Sequence, residues 1–161
     1  MVDKPIFVIM NARFNLERVA SSGQPSAEQF SLIKEAGYNC VINLALPTSA
    51  GALTDEPEIV TSLGMDYVHI PVEWTKPQII QLAAFFIELD NRKGQQIWVH
   101  CAMNYRVSIF LFLYRVIKLG DSQPDAWQDV LSVWQPDEVW LAFVQTSLLH
   151  YGFSCELRGM R

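Results

Sequence analysis

A histidine, a cysteine, an arginine and a serine fall together in the segment Val99-His100-Cys101-Ala102-Met103-Asn104-Tyr105-Arg106-Val107-Ser108. Those residue types at that spacing suit chemistry on an oxyanion. The run before the cysteine, Gln96–His100, carries Ile-Trp-Val at its centre and reads as a buried strand. The run from about Tyr105 to Leu119 is apolar on nearly every face and reads as a central, buried helix. A loop that joins such a strand to a helix N-terminus turns backbone N–H groups toward one point, and the helix adds its positive end, so an anion site results. The same field lowers a cysteine thiol from about 8.5 toward or below neutrality, and the thiolate is the nucleophilic form. Arg106 adds a planar fork of donors that matches two oxygens of a phosphate. On this reading Cys101 is the candidate nucleophile. The amides of Ala102, Met103, Asn104, Tyr105 and Arg106, with the Arg106 side chain, are candidate phosphate ligands. His100 organises the loop by hydrogen-bonding to backbone, and is not read as a base or a metal ligand.

The rest of the chain must position that loop. Phe7–Met10 and Arg18–Ser21 read as short strands, and Gly23-Gln24-Pro25 as a turn. Ser26 is an N-cap with Gln29 completing a capping box, and the helix it opens should stop at Gly37. Tyr38–Leu46 is a buried strand, Asp55–Leu63 a short helix with an acidic start, and Tyr67–Val72 another strand. Pro77 opens a helix in which Ile79, Leu82, Ala83 and Phe86 share a face. Two further helices follow, one with Trp127, Val130, Leu131 and Trp134 on a stripe and one starting at Pro136. Strands alternating with helices imply an α/β sheet with parallel pairs.

The chain has 161 residues, half of them apolar, which suits one domain spanning 1–161 with a sizeable core. A formal net charge of −5 argues against nucleic acid and anionic membrane as general partners, without forbidding a locally positive site. No signal peptide is visible at Met1 to Lys4, and the longest apolar stretch, Ile109–Ile117, is broken by Arg115 and too short to span a bilayer. Cytoplasmic location is therefore expected. Cys40, Cys101 and Cys155 are odd in number and widely spaced, so neither a disulfide framework nor a zinc pattern is present. Cys40 reads as core and Cys155 as incidental. His69 reads as structural, Arg115 as paired or snorkelling, and the Trp127/Trp134 stripe as core or interface. Ser22 and Gln24 either rim the pocket or simply start a helix.

The loop resembles the signature of cysteine-dependent tyrosine and dual-specificity phosphatases, His-Cys-x-x-Gly-x-x-Arg-Ser/Thr. His100 and Cys101 match it, Asn104 stands at the glycine position, and Ser108 stands at the hydroxyl position. Asn is the residue that best tolerates positive φ after Gly. The likeness extends over roughly Leu16 to Leu119, through Arg18–Gln24, Val41-Ile42-Asn43-Leu44 and Tyr67–Val72 in order. It is nearest to a bacterial branch, the phosphatase-like domain also found attached to beta-lactamase-hydrolase-like proteins, whose hallmarks are Ser22–Ser26 and Ile70-Pro71-Val72. The resemblance implies a three-layer phosphatase-like α/β fold with a central, mostly parallel sheet of four to five strands flanked by helices. It also implies hydrolysis of a phosphomonoester, on a protein or a small molecule, through a phosphocysteine on Cys101. Ser108 would then assist the thiolate, and no metal or organic cofactor would be called for. Oligomeric state is not legible.

Two positions depart from the family. Arg106 lies five residues after Cys101, where the family places its arginine six after. A one-residue shift at a helix start turns a side chain by about 100°. The shorter spacing is that of rhodanese-type sulfurtransferases, which would carry a persulfide on Cys101. The family's acidic residue, in the loop before the Pro77 helix, falls at Trp74, with Glu73 one residue early as the candidate general acid. Without an acid, a third alternative is a non-catalytic binder of phosphate or phosphopeptide.

Overall fold

A computed structural model describes residues 5–157. The N-terminal reading at residues 1–4 lies outside them. Four strands form one sheet: β1 (Val19–Ser22), β2 (Cys40–Asn43), β3 (Asp66–His69) and β4 (Ile97–His100). Their order is β1-β4-β2-β3, and every pairing is parallel. The helices are α1 (Ala27–Glu35), α2 (Glu56–Ser62), α3 (Ile79–Asn91), α4 (Tyr105–Lys118), α5 (Gln123–Leu131) and α6 (Glu138–His150). This is the expected three-layer α/β architecture.

Successive side chains of a strand point to opposite faces, and here they separate two cores. Cys40, Ile42, Ile97 and Val99 face a cluster built with Leu82, Phe85, Phe110, Leu113 and Trp140 from α3, α4 and α6. Val41 and Trp98 face the other cluster, with Phe30 and Ile33 of α1 and Val60 of α2. β4 lies between β1 and β2, so its C-terminal end opens at the middle of the sheet edge, where ligands of parallel α/β sheets bind. α4 springs from that point and runs through the core, burying Val107 through Phe110.

The capping box is present: Ser26 Oγ accepts from Gln29 N–H, and Gln29 Oε1 accepts from Ser26 N–H. Gly37 ends that segment at φ +99°. Three expectations need correction. Phe7–Met10 is no strand: Pro5–Val8 forms a 3-10 turn, Phe7, Val8 and Met10 are exposed, and a single antiparallel bridge from Arg13 to Ser21 closes that edge. A short apolar run cannot by itself distinguish a strand from a turn lying on the surface. The helices read as starting at Pro77 and Pro136 begin later, at Ile79 and Glu138. Each proline stands outside a cap: Gln81 Oε1 accepts from the Gln78 N–H, and Asp137 accepts from the Trp140 N–H. α5 ends at Leu131, so Trp134 lies beyond the stripe on which it was placed.

Candidate active site

Cys101 follows β4 directly and is fully buried. The carbonyls of the residues after His100 are drawn away from the pocket by donors outside the loop. His100 Nδ1 lies 3.2 Å from Cys101 O, Gln24 N–H donates to Ala102 O at 3.0 Å, and Asn11 Nδ2 donates to Met103 O at 3.0 Å. The described peptides are all trans, and in a trans peptide the N–H points opposite to the C=O. The N–H groups of Ala102 and Met103 therefore face away from those donors, toward the concave side. α4 begins there, and its first N–H groups have no partners within the helix.

The loop closes on a left-handed asparagine. Asn104 has φ +69° and is buried, and its Nδ2 donates to Asn11 O at 2.9 Å and Ser21 Oγ at 3.1 Å. Asn11 has φ +51°. The two asparagines thus hold each other's segments by reciprocal side-chain-to-backbone bonds. Gly23 allows the loop to pass closely, since a Cβ there would meet Ala102 O at 2.7 Å. Ser22 does not rim the pocket; it is buried, donates to Gly23 O and accepts from Trp98 Nε1.

His100, expected to contact the loop backbone, lies against the Cys101 carbonyl and has a second partner that the sequence did not show. Its Nε2 lies 2.7 Å from Glu56 Oε2, and the other carboxylate oxygen accepts from Gln24 Nε2 at 2.7 Å. Glu56 is 1% exposed. Burial alone would raise its carboxyl, but the His100, Gln24 and Tyr67 hydrogen bonds and the His100 charge outweigh that and hold it below the usual carboxylate range.

Arg106 does reach the pocket despite its shifted place. It is 6% exposed; Nη1 donates to Val72 O at 2.9 Å, and Nη2 donates to Ser49 Oγ at 3.4 Å. Its Nε is buried with no hydrogen-bond partner. The guanidinium lies 5.9 Å from the Trp74 ring centre. A pocket of about 210 Å³ is lined by Trp74, Cys101, Ala102, Met103, Tyr105 and Arg106. Its aromatic side is a cluster: Tyr105 stacks on Trp134 at 4.6 Å, and Trp74 lies against both and against Trp140. Trp140 Nε1 donates to Trp74 O at 3.0 Å and pins that loop. Trp134, read as distant core or interface, therefore backs the pocket wall.

Two candidates are not brought into this pocket. Ser108 Oγ donates to Tyr105 O at 2.7 Å and accepts from Trp134 Nε1 at 3.0 Å, so its proton is committed to its own helix. Glu73 is exposed and, among the described residues, has no side-chain hydrogen-bond or ion-pair partner and is not in the pocket lining. Arg115 is paired with Asp121 and Asp129, and His69 Nε2 contacts Ala45 O at 2.7 Å, both structural as expected. Among the described residues, no cluster of His, Cys, Asp and Glu could hold a metal ion, and no helix is long and apolar enough to cross a membrane.

A DUF442 protein of Shewanella putrefaciens CN-32, whose phosphatase label is itself provisional, is 35% identical. The match covers 91% of this chain and 97% of that one, at a TM-score of 0.82. The chain belongs to the DUF442 family. No family model and no curated protein matches it. The core catalytic domain of the PP-IP phosphatase SIW14 from S. cerevisiae, solved with citrate, is 15% identical with TM-score 0.70 and 84% of each chain covered. P. aeruginosa TpbA, solved with pTyr, is 14% identical with TM-score 0.67, covering 90% of this chain and 86% of that one. At those identities the likeness is one of fold. DUF442 thus shares the fold of the tyrosine- and dual-specificity-phosphatase-like enzymes.

Proposed function

We propose that this DUF442 chain is a cysteine-dependent phosphatase that hydrolyses a phosphomonoester through a phosphocysteine. The observation that carries this is that Cys101, its loop and Arg106 line one pocket, with the Arg106 Nε buried and without a partner among the described residues. Nε and the neighbouring Nη2 share one edge of the guanidinium, and a tetrahedral oxyanion matches such an edge with two oxygens. Cys101 Sγ attacks phosphorus and forms the S–P bond as the ester P–O bond breaks. The loop amides and Arg106 hold the equatorial oxygens as their charge shifts. Water then cleaves the S–P bond, releasing phosphate and restoring the thiolate. Trp74 and Tyr105 cover the pocket side and limit water there.

Of the two distant neighbours, TpbA (as its C132S variant) was solved with pTyr and SIW14 with citrate. They support an anionic substrate without choosing between a phosphoprotein and a small phosphoester. The substrate assigned here is therefore the phosphomonoester class. A reduced thiol is needed, which favours the cytoplasm. Turnover of an aryl phosphate by the wild type, its loss in Cys101→Ser, and a mass increase of one phosphoryl group on the Cys101 peptide after rapid acid quench test the proposal. Absence of both turnover and adduct, with phosphate still protecting Cys101 from alkylation, assigns a binder instead.

One observation favours a second reading. The loop from Cys101 to Arg106 has the short sulfurtransferase spacing, and among the described residues no carboxylate lines the pocket. In that case thiosulfate would transfer its outer sulfur to Cys101, leaving a persulfide and releasing sulfite. A gain of one sulfur on the Cys101 peptide, with no aryl phosphate turnover, would decide for it.

A further inference from the structure

Glu56 takes part in none of the steps above, yet it is a buried carboxylate one hydrogen bond from the residue that precedes the nucleophile. Its oxygens face three donors: Gln24 Nε2, the Tyr67 hydroxyl and His100. Tyr67 OH in turn accepts from Asn43 Nδ2 at 3.1 Å, so its proton is directed to Glu56. A carboxylate surrounded only by donors is held as an anion. His100 is fully buried, and each of its ring nitrogens faces an oxygen: Nε2 the Glu56 carboxylate, Nδ1 the Cys101 carbonyl. Satisfying both oxygens needs an N–H on both nitrogens. Around this ring, α2 presents Glu56, β3 presents Tyr67, and the loop presents Cys101. α1 contributes only the Phe30 ring, at 5.8 Å.

We propose that Glu56 is a positioning residue for Cys101: its carboxylate keeps both protons on His100, and Nδ1–H then fixes the Cys101 carbonyl outward and the Ala102 N–H inward. Two consequences follow from one pair. The loop amide next to Sγ is aimed at the anion, and a positive charge is held beside the thiolate with its counter-charge on the far side of the ring. The inference rests on Cys101 being the reactive thiolate. It does not depend on whether phosphate or sulfur is transferred.

Removing that charge should raise the pH needed to form the thiolate by about one pH unit, which is about tenfold less thiolate at mildly acidic pH. The experiment follows alkylation of the Cys101 peptide by iodoacetamide against pH, in wild type and Glu56→Gln, with aryl phosphate turnover measured alongside. Gln keeps the shape and can still accept one hydrogen bond. The expected result is an alkylation midpoint about one pH unit higher, a kcat lower by about tenfold at mildly acidic pH, and a KM little changed. A folded Glu56→Gln with the wild-type midpoint overturns the proposal, because a purely structural role would change stability and leave that midpoint in place. The direct measurement leaves Glu56 and His100 unchanged: nitrogen NMR of ¹⁵N-histidine-labelled wild type, with the His69 and His150 signals assigned from variants that lack those residues. Both His100 nitrogens should carry protons at neutral pH, and a neutral tautomer there overturns the proposal. Failure of the underlying reading has a different signature, in which wild-type Cys101 alkylates no earlier than Cys155.

Discussion

Cys40 and Cys101 are both fully buried and belong to the same core cluster; Cys40 opens β2, and Cys101 directly follows its neighbour β4. They lie at opposite edges of the sheet, and the proposed difference in their chemistry rests on that. Cys40 opens β2, opposite Ile97 at the start of β4, where its neighbours are apolar side chains and the Arg92, Asp66 and Glu88 charges. Burial pushes its thiol up to about 11, outweighing the pull of Arg92. Cys101 lies beyond the other end of β4, where the loop's carbonyls are tied outward and α4 begins. Burial alone therefore does not separate the two cysteines. The proposed difference rests on the backbone N–H groups around Cys101, which a parallel sheet offers where strands end and helices begin.

The largest effect expected from breaking the contrast is on the reaction itself. Cys101→Ser should lower aryl phosphate turnover by at least about 10³-fold, because a serine hydroxyl lacks the thiolate's nucleophilicity. Cys40→Ala should leave the rate intact and cost about 1–2 kcal/mol in a urea unfolding curve, from lost burial and a small cavity. The two cysteines also separate in pH. A thiol whose folded value is raised contributes stability that is fully present below its ordinary range and is lost as pH climbs through about 11. Wild type should lose stability over that alkaline window, and Cys40→Ala should lose less. Iodoacetamide should modify Cys101 at mildly acidic pH, with phosphate protection, while Cys40 stays unmodified.

Arg106 comes next. Its place is one residue early for the phosphatase pattern, yet the residue lines the pocket with Cys101, and its buried Nε has no partner among the described residues. Arg106→Ala should lower the rate by ~10²–10³, and Arg106→Lys by nearly as much, since an ammonium cannot present the two-donor edge. Phosphate affinity, read from protection of Cys101, should fall with the rate. Near-normal turnover in Arg106→Ala would mean that the shifted arginine does not hold the anion.

A smaller effect, on the frame of the loop, bears on what the sequence could reveal. Asn104 was legible because its motif position calls for positive φ, and the structure has it at +69°. Its clasp with Asn11 was not, because Asn11 is 93 residues away and nothing local marks it. Asn104→Ala should cost about 2–3 kcal/mol in urea unfolding, from two lost hydrogen bonds and a left-handed Cβ, and Asn104→Gly about 1 kcal/mol less. The same division runs through the molecule. Ser26 with Gln29, Gly37 and the buried strands follow from local spacing and were read correctly. Glu56 looked like an acidic residue at a helix start; only the packing of α2 against β3 and α1 buries it beside His100. Trp134 looked like part of a helical stripe, and the end of α5 at Leu131 released it to the pocket wall.

The smallest expected effect concerns the loop opposite the cysteine. There the phosphatase-like pattern calls for an acid, and this chain has Glu73 followed by Trp74. The two residues divide sharply in the structure. Trp74 lies in the pocket wall, with its carbonyl bonded to Trp140 and its ring near Arg106, while Glu73 is exposed and unengaged. A side chain that does not line the pocket cannot hand a proton to a leaving oxygen bound there, which requires hydrogen-bond reach. Glu73→Gln should therefore change turnover of an aryl phosphate by less than about twofold, and turnover of an alkyl phosphate by the same factor. Comparing the two esters is what gives the measurement its force. An aryl oxide leaves without help, whereas an alkyl oxide needs protonation, so an acid removed from the mechanism slows the alkyl ester far more. If Glu73→Gln does so, the 73–76 loop must fold its carboxylate over Cys101 once substrate is bound, and the contrast between the two sides of the pocket would be a property of the empty site alone.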